Sequence, residues 1–234
     1  MNVAEIQRAL LARGYALGNS GPTKNGVDGD WGRLSTAAAK DFQAKMGLKV
    51  TGQPDETTIV ALGLRKAGPV LPVWHIEAER LKGVKEIAGA KSNPTILGWA
   101  KALGGWVASF YKNDDTPWCG LFIGHVIGKT LPGEVLPSNP LGALNWLTFG
   151  RALTVPTVGA IAVFKRPGGG HVGLYVGEDA TAVHVLGGNQ SNTVNVTRVG
   201  KDRLQGYRWP TTAAAPATGR VHLTSSGKLS TNEA

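Results

Sequence analysis

Cysteine is almost absent: the 234 residues contain one. No disulfide can close within the chain, and no multi-cysteine zinc site can be built. No apolar run approaches the roughly 20 residues of a membrane-spanning helix, so no integral membrane association is expected. The opening segment, MNVAEIQRALLARGY, has no basic stretch followed by an apolar one, so no Sec-type signal peptide is expected. Acidic residues are in deficit, 16 against 25 Lys and Arg, which gives a formal net charge of +9. The excess is spread along the chain and forms no basic arm, so no nucleic-acid partner is expected. It still suits attraction to a polyanion such as an anionic cell wall. No His-Glu-x-x-His motif, P-loop or convincing dinucleotide fingerprint occurs, and neither metal nor cofactor is expected.

Hydrophobic residues make up 42%, enough for packed cores, and 33 Gly with 13 Pro promise many turns. Val3, Ile6, Leu10 and Leu11 fall at helical spacing, with Gly14 as a stop. A polar loop runs from Gly18 to Gly32. Ser35 is read as the N-cap of a second helix that buries Ala38, Phe42 and Met46. A third, shorter helix is expected within Glu56–Leu62. Val27-Asp28-Gly29 and Val50-Thr51-Gly52 precede the second and third helices and form a weak internal repeat. Residues 1–66 are therefore read as a three-helix domain, followed by a Pro/Gly-broken linker over 67–73.

The texture then changes. Helical patterns cover Trp74–Lys82, Thr95–Leu103 and Cys119–Lys129, the last preceded by Asp114-Asp115-Thr116-Pro117 as a helix start. After Pro156 the period becomes two, and Val158–Phe164, His171–Val176, Thr181–Leu186 and Thr193–Arg198 read as strands. Helices followed by an antiparallel sheet indicate an α+β fold over 74–211. Residues 212–234 are Ala/Thr/Ser-rich and read as a flexible tail. Nothing suggests an obligate dimer, and a monomer is expected.

The single cysteine, Cys119, stands at an expected helix N-terminus, where the dipole favours a thiolate and free N–H groups can hold an oxyanion. A lone cysteine also serves as a small buried hydrophobe. His171 opens a strand after a three-glycine turn and is the candidate general base. A third polar group should orient its ring. Asn189, after Gly187-Gly188, is the leading candidate, and His184 on the neighbouring strand is the competitor.

Two resemblances add to this reading. Residues about 3–64 resemble the three-helix peptidoglycan-binding domain of cell-wall hydrolases. The resemblance is carried by Ile6-Gln7-Arg8-Ala9-Leu10, Gly26-Val27-Asp28-Gly29-Asp30-Trp31-Gly32, Asp41-Phe42-Gln43 and Met46-Gly47-Leu48. It implies wall contact through Asp28, Gly29, Trp31, Phe42 and Gln43. The loop Gly18–Asn25 is longer than the usual pattern.

Residues about 72–210 resemble the phage-type branch of the NlpC/P60–CHAP cysteine hydrolases, papain-like α+β domains that cut peptidoglycan amides. The matching blocks include Asp115-x-Pro117-Trp118-Cys119, Gly170-His171-Val172-Gly173, Leu186-Gly187-Gly188-Asn189-Gln190 and Tyr207-Arg208-Trp209-Pro210. The resemblance implies Cys119 as nucleophile, His171 as base and Asn189 as orienter, with His184 as the alternative third residue. Glu86, Asp115, Trp118 and Gln190 are further candidates to line the site, against capping, packing, a surface ion pair or a turn hydrogen bond. The implied protein is a phage endolysin. It would act as an N-acetylmuramoyl-L-alanine amidase or stem-peptide endopeptidase, held in the host cytoplasm until release to the periplasm and wall. A non-catalytic wall-binding or virion module and a delivered antibacterial toxin are the alternatives.

Overall fold

The computed structural model describes residues 2–65, 71–89, 91–216, 219–225 and 227–230. The chain divides into two compact units, Met1–Val70 and Leu71–Ala234.

The first unit holds three helices: α1 (Val3–Leu11), α2 (Arg33–Lys45) and α3 (Glu56–Ala61). Asn2 and Glu5 form a reciprocal capping box at the start of α1, and Asp55 caps α3 through the Thr58 N–H. Ile6, Leu10, Leu17, Ala38, Phe42 and Leu62 make the core. Two expectations are corrected. The N-cap of α2 is Gly32, and Ser35 lies buried inside the helix. Met46 is 52% exposed, because α2 ends at Lys45 and the chain turns away there.

The internal repeat is a real structural device. On α1, Gln7 Oε1 accepts the N–H groups of Asp28 (3.2 Å) and Gly29 (2.9 Å). Its Nε2 donates to Asp28 Oδ1 (2.7 Å), the Asp30 carbonyl (2.9 Å) and Ser35 Oγ (3.1 Å). On α2, Gln43 Oε1 accepts the N–H groups of Thr51 (2.9 Å) and Gly52 (2.8 Å). Its Nε2 donates to Thr51 Oγ1 (3.0 Å), the Gln53 carbonyl (3.0 Å) and Thr58 Oγ1 (2.8 Å). Each buried amide satisfies both of its ends by holding the turn that leads into the next helix.

The second unit packs four helices on one sheet: α4 (Val73–Arg80), α5 (Pro94–Leu103), α6 (Gly105–Phe110) and α7 (Cys119–Thr130). The strands are β1 (Arg151–Leu153), β2 (Ile161–Arg166), β3 (Gly169–Glu178), β4 (Ala182–Gly187), β5 (Asn195–Gly200), β6 (Leu204–Trp209) and β7 (Leu229–Ser230). Their order is β1-β6-β2-β3-β4-β5-β7, antiparallel throughout except for the parallel β5–β7 pair. The mixed α+β architecture agrees with the expectation. α7 is apolar on nearly every side because it sits between the other helices and the centre of the sheet, with Leu121, Phe122, Ile123, Val126 and Ile127 fully buried. Gly120 and Gly124 allow the close approach of the Pro140–Leu141 backbone and Leu103.

Of the expected linker, residues 67–70 lie outside the described residues. Pro72 is the N-cap of α4 and Val73 its first residue, so the second unit starts earlier than position 74. The expected flexible tail is corrected over its described part. Glu178, buried at 3% exposure, accepts Arg220 Nη1 (2.8 Å) and Lys201 Nζ (2.9 Å). The Val221 carbonyl accepts the Glu178 N–H, and Leu229–Ser230 pairs with Arg198–Val199. A buried carboxylate requires cationic partners, and Arg220 supplies one from this segment. Residues 217, 218, 226 and 231–234 of that expectation lie outside the described residues.

Candidate active site

Cys119 is the first residue of α7, and it is buried. The chain reaches it through a turn at Asp114–Thr116 and then Pro117-Trp118, with Trp118 as N-cap and no side chain capping the helix. The amides of the first turn are therefore without an intrahelical partner. α7 lies against β3, whose His171 and Val172 follow the glycine turn at Gly168–Gly170. The Val172 and Gly120 backbone N–H groups and the Arg166 charge draw the Cys119 pKa down, but burial outweighs them and pushes the thiol above its ordinary value. The expected thiolate-favouring helix terminus is thus present and loses to desolvation.

His171 is 1% exposed, and its Nε2 lies 2.9 Å from Gln190 Oε1. The contact to the ring that was expected of Asn189 is made by Gln190. Asn189 is buried beside it, yet its Oδ1 meets no hydrogen-bond partner. The cause is the backbone: Asn189, Ser191 and Asn192 all take positive φ (55°, 51° and 59°), and this coiled turn delivers Gln190 to the ring. Gly187 lies so close that a β-carbon there would crowd both Gln190 Oε1 and His171 Nε2, and one at Gly188 would overlap Trp118 and Phe122. The Gly-Gly pair lets this turn close over the N-terminal end of α7.

His184 has a different partner. Its Nε2 is 2.8 Å from Asp179 Oδ2, which also accepts Arg198 Nε at 2.8 Å. Arg198 first, and then Thr181 and His184, hold the Asp179 carboxyl far below the usual range.

Trp118 is fully buried, packed near Trp99 at 5.9 Å between ring centroids, and donates Nε1–H to Glu86 Oε1 at 2.6 Å. Glu86 is therefore not in a surface ion pair. Asp115 is exposed and caps nothing; the turn is held by Asn113, which accepts the Thr116 N–H. Its neighbour Asp114 is the buried one and accepts the N–H groups of Ile87 (3.2 Å) and Asn93 (2.7 Å). The sequence reading missed Asp114, although the Asp-Asp pair was its signal.

Among the first unit's candidates, Phe42 (3% exposed) and Gln43 (0%) face the core and cannot touch a wall polymer. Asp28 and Gly29 are exposed, and Trp31 is half-buried with Nε1–H donated to the Gly52 carbonyl. Asp28 borders a cleft of about 280 Å³ together with Leu17, Ser20, Asp30, Arg33 and Leu34. Hydrogen bonds from Ser20 and then Gln7 hold its carboxyl at about 2. Among the described residues no group of His, Cys, Asp and Glu is placed to hold a metal, and no helix is long and apolar enough to cross a membrane.

No curated protein and no solved structure matches the chain. Residues 2–62 match the family model "Putative peptidoglycan binding domain". The first unit is thus similar to a peptidoglycan-binding domain, which supports cell-wall association and peptidoglycan as a partner.

Proposed function

We propose that the second unit is a papain-like cysteine hydrolase of the NlpC/P60–CHAP type, and that the chain is a phage endolysin cutting an amide of peptidoglycan. The observation that carries this reading is the group itself. Cys119 opens a helix against the strand that bears His171, and His171 is oriented by a buried amide, Gln190. That is the nucleophile, base and orienter of acyl transfer. The match of residues 2–62 supports the substrate polymer.

Because burial keeps the thiol neutral, His171 acts as a general base during attack. The Cys119 S–H proton passes to His171 Nδ1 while sulfur bonds to the carbonyl carbon. The oxyanion is held by amides at the N-terminal end of α7. The C–N bond then breaks, the His171 proton goes to the leaving amine, and a thioester remains. Water attacks the thioester carbon, giving its proton to His171; the C–S bond then breaks, the carboxylic acid leaves, and His171 returns the proton to sulfur. The bond is the muramoyl–L-alanine amide or one within the stem peptide. The protein would wait in the host cytoplasm and reach the wall on release.

Purified peptidoglycan incubated with the protein and with Cys119→Ala tests the reading, with released amines and muropeptide masses as the readout. New amino termini with the wild type alone support it. Binding with no released amine overturns it in favour of a non-catalytic wall-binding module.

A further inference from the structure

We propose that Asn195 is a positioning residue that, acting through Gln190, selects which ring nitrogen of His171 carries the proton. This rests on the reading of Cys119 and His171 as nucleophile and base, and deepens it.

A glutamine amide can enter a slot in two orientations that differ only by exchange of oxygen and nitrogen. Around Gln190 the surroundings decide between them. One end faces His171 Nε2. The other faces the Asn195 carbonyl at 2.6 Å, Asn195 Oδ1 at 3.0 Å and the Val185 carbonyl at 3.2 Å. All three are acceptors, so the NH₂ group must lie there and Oε1 must face the ring. Reversing the amide would set oxygen against three oxygens in a buried place.

Two of those acceptors belong to Asn195. Its Nδ2 also donates to the Gln190 carbonyl at 2.8 Å, so Asn195 holds Gln190 by side chain and backbone together. The orientation of Asn195 is itself set, because the Gln190 carbonyl can only accept and so fixes Nδ2 there, leaving Oδ1 to accept Thr197 Oγ1 at 2.7 Å. The hydrogen bonds thus run from His171 Nε2–H to Gln190 Oε1 and from Gln190 Nε2 to Asn195 Oδ1, which Thr197 Oγ1 also reaches. Since Gln190 presents an acceptor, His171 Nε2 carries the hydrogen and Nδ1 keeps the lone pair that a base needs. Without the Asn195 side chain, reversal sets oxygen against two main-chain oxygens instead of three oxygens, and the Gln190 carbonyl loses its donor, so the reversed amide gains population.

The test is the tautomer of His171, read by ¹⁵N NMR on the full chain with labelled histidine. It is measured at alkaline pH, where imidazoles are neutral, with the signal assigned by a His171→Gln variant. Wild type should show the Nε2–H form alone. Asn195→Ala should show both forms, with kcat on peptidoglycan down about tenfold and KM within twofold. The isosteric Thr197→Val, which removes one donor to Asn195 Oδ1 and keeps Asn195, should move the populations the same way by a smaller amount. It decides the matter if Asn195→Ala does not fold. A Nδ1–H form in the wild type, or a single Nε2–H form in every folded variant, overturns the proposal. Absence of released amine from the wild type would overturn only the hydrolase reading, because the tautomer is measured without turnover.

Discussion

Trp118 donates its indole N–H to Glu86 at 2.6 Å, one residue before the candidate nucleophile. Glu86 is partly buried and near Asp114 and Asp115. Burial first, and then those two charges, push its carboxyl above the usual value, against the pull of the indole. A raised carboxyl stabilises the fold only below its unfolded pKa, and that contribution is lost as pH rises through the folded value. Glu86→Gln keeps an acceptor for the indole and removes the charge. At pH 7 it should raise the melting temperature by roughly 1–3 °C, with the difference vanishing below about pH 4. Thermal melts at the two pH values check this, and a loss of stability at pH 7 would refute it.

The adjacent amides Asn189 and Gln190 are predicted to separate cleanly. Gln190→Ala should lower kcat on peptidoglycan by about 100-fold, the scale of losing a base's orientation. Asn189→Gly should leave kcat within about threefold and the melting temperature no lower, because glycine adopts positive φ without strain. Steady-state kinetics and melts of both variants test this. The reverse order of effects would restore Asn189 as the orienter.

Burial of Cys119 makes a prediction about its reactivity. With the thiol pushed above its ordinary value, alkylation by iodoacetamide should still be rising above pH 9, where a free cysteine is levelling off. At pH 7 it should run at least about tenfold slower than free cysteine. A plateau below pH 7 would reveal a thiolate already formed at rest.

His125 sets an acid limit on the second unit. Its ring stacks on Trp99 at 5.2 Å, and burial lowers its pKa to about 4, helped by Lys129 and opposed by Glu77. A folded-state pKa below the unfolded value gives stability that is full above about 6.5 and is lost as pH falls through 4. The loss is at most about 3.4 kcal/mol at 1.36 kcal/mol per unit. Denaturant melts of His125→Phe should fall less steeply between pH 6.5 and 4 than those of the wild type. Parallel curves would refute the assignment.

Much of this was legible in the residues. Helical spacing located α1, α5 and α7, and period-two runs located β2 to β5. The glycine blocks marked where backbones approach closely. Three things were not legible, each for a physical reason. Choosing Gln190 over Asn189 required three left-handed residues in the turn, and spacing does not encode φ. The position of His184 depended on which side of β4 faces Asp179, and an all-buried strand has no polar alternation to show it. Phe42 and Gln43 carried the family pattern because they build the domain, and a pattern does not separate scaffold from contact surface. Gln7 could have been found by aligning the two loop–helix repeats, since it stands to Asp28-Gly29 as Gln43 stands to Thr51-Gly52.

The contacts of Arg220, Val221 and Leu229–Ser230 with the sheet bear on how the second unit can be produced in isolation. A version ending at Pro210 follows the last large aromatic and looks like a natural place to stop. It would strip Arg220 from the buried Glu178 and leave β5 as an open edge, with unpaired main-chain groups ready to recruit another chain. Such a truncation should aggregate where one ending at Ser230 stays dispersed. The modest C-terminal strand works as a hem that keeps the sheet from unravelling into its neighbours.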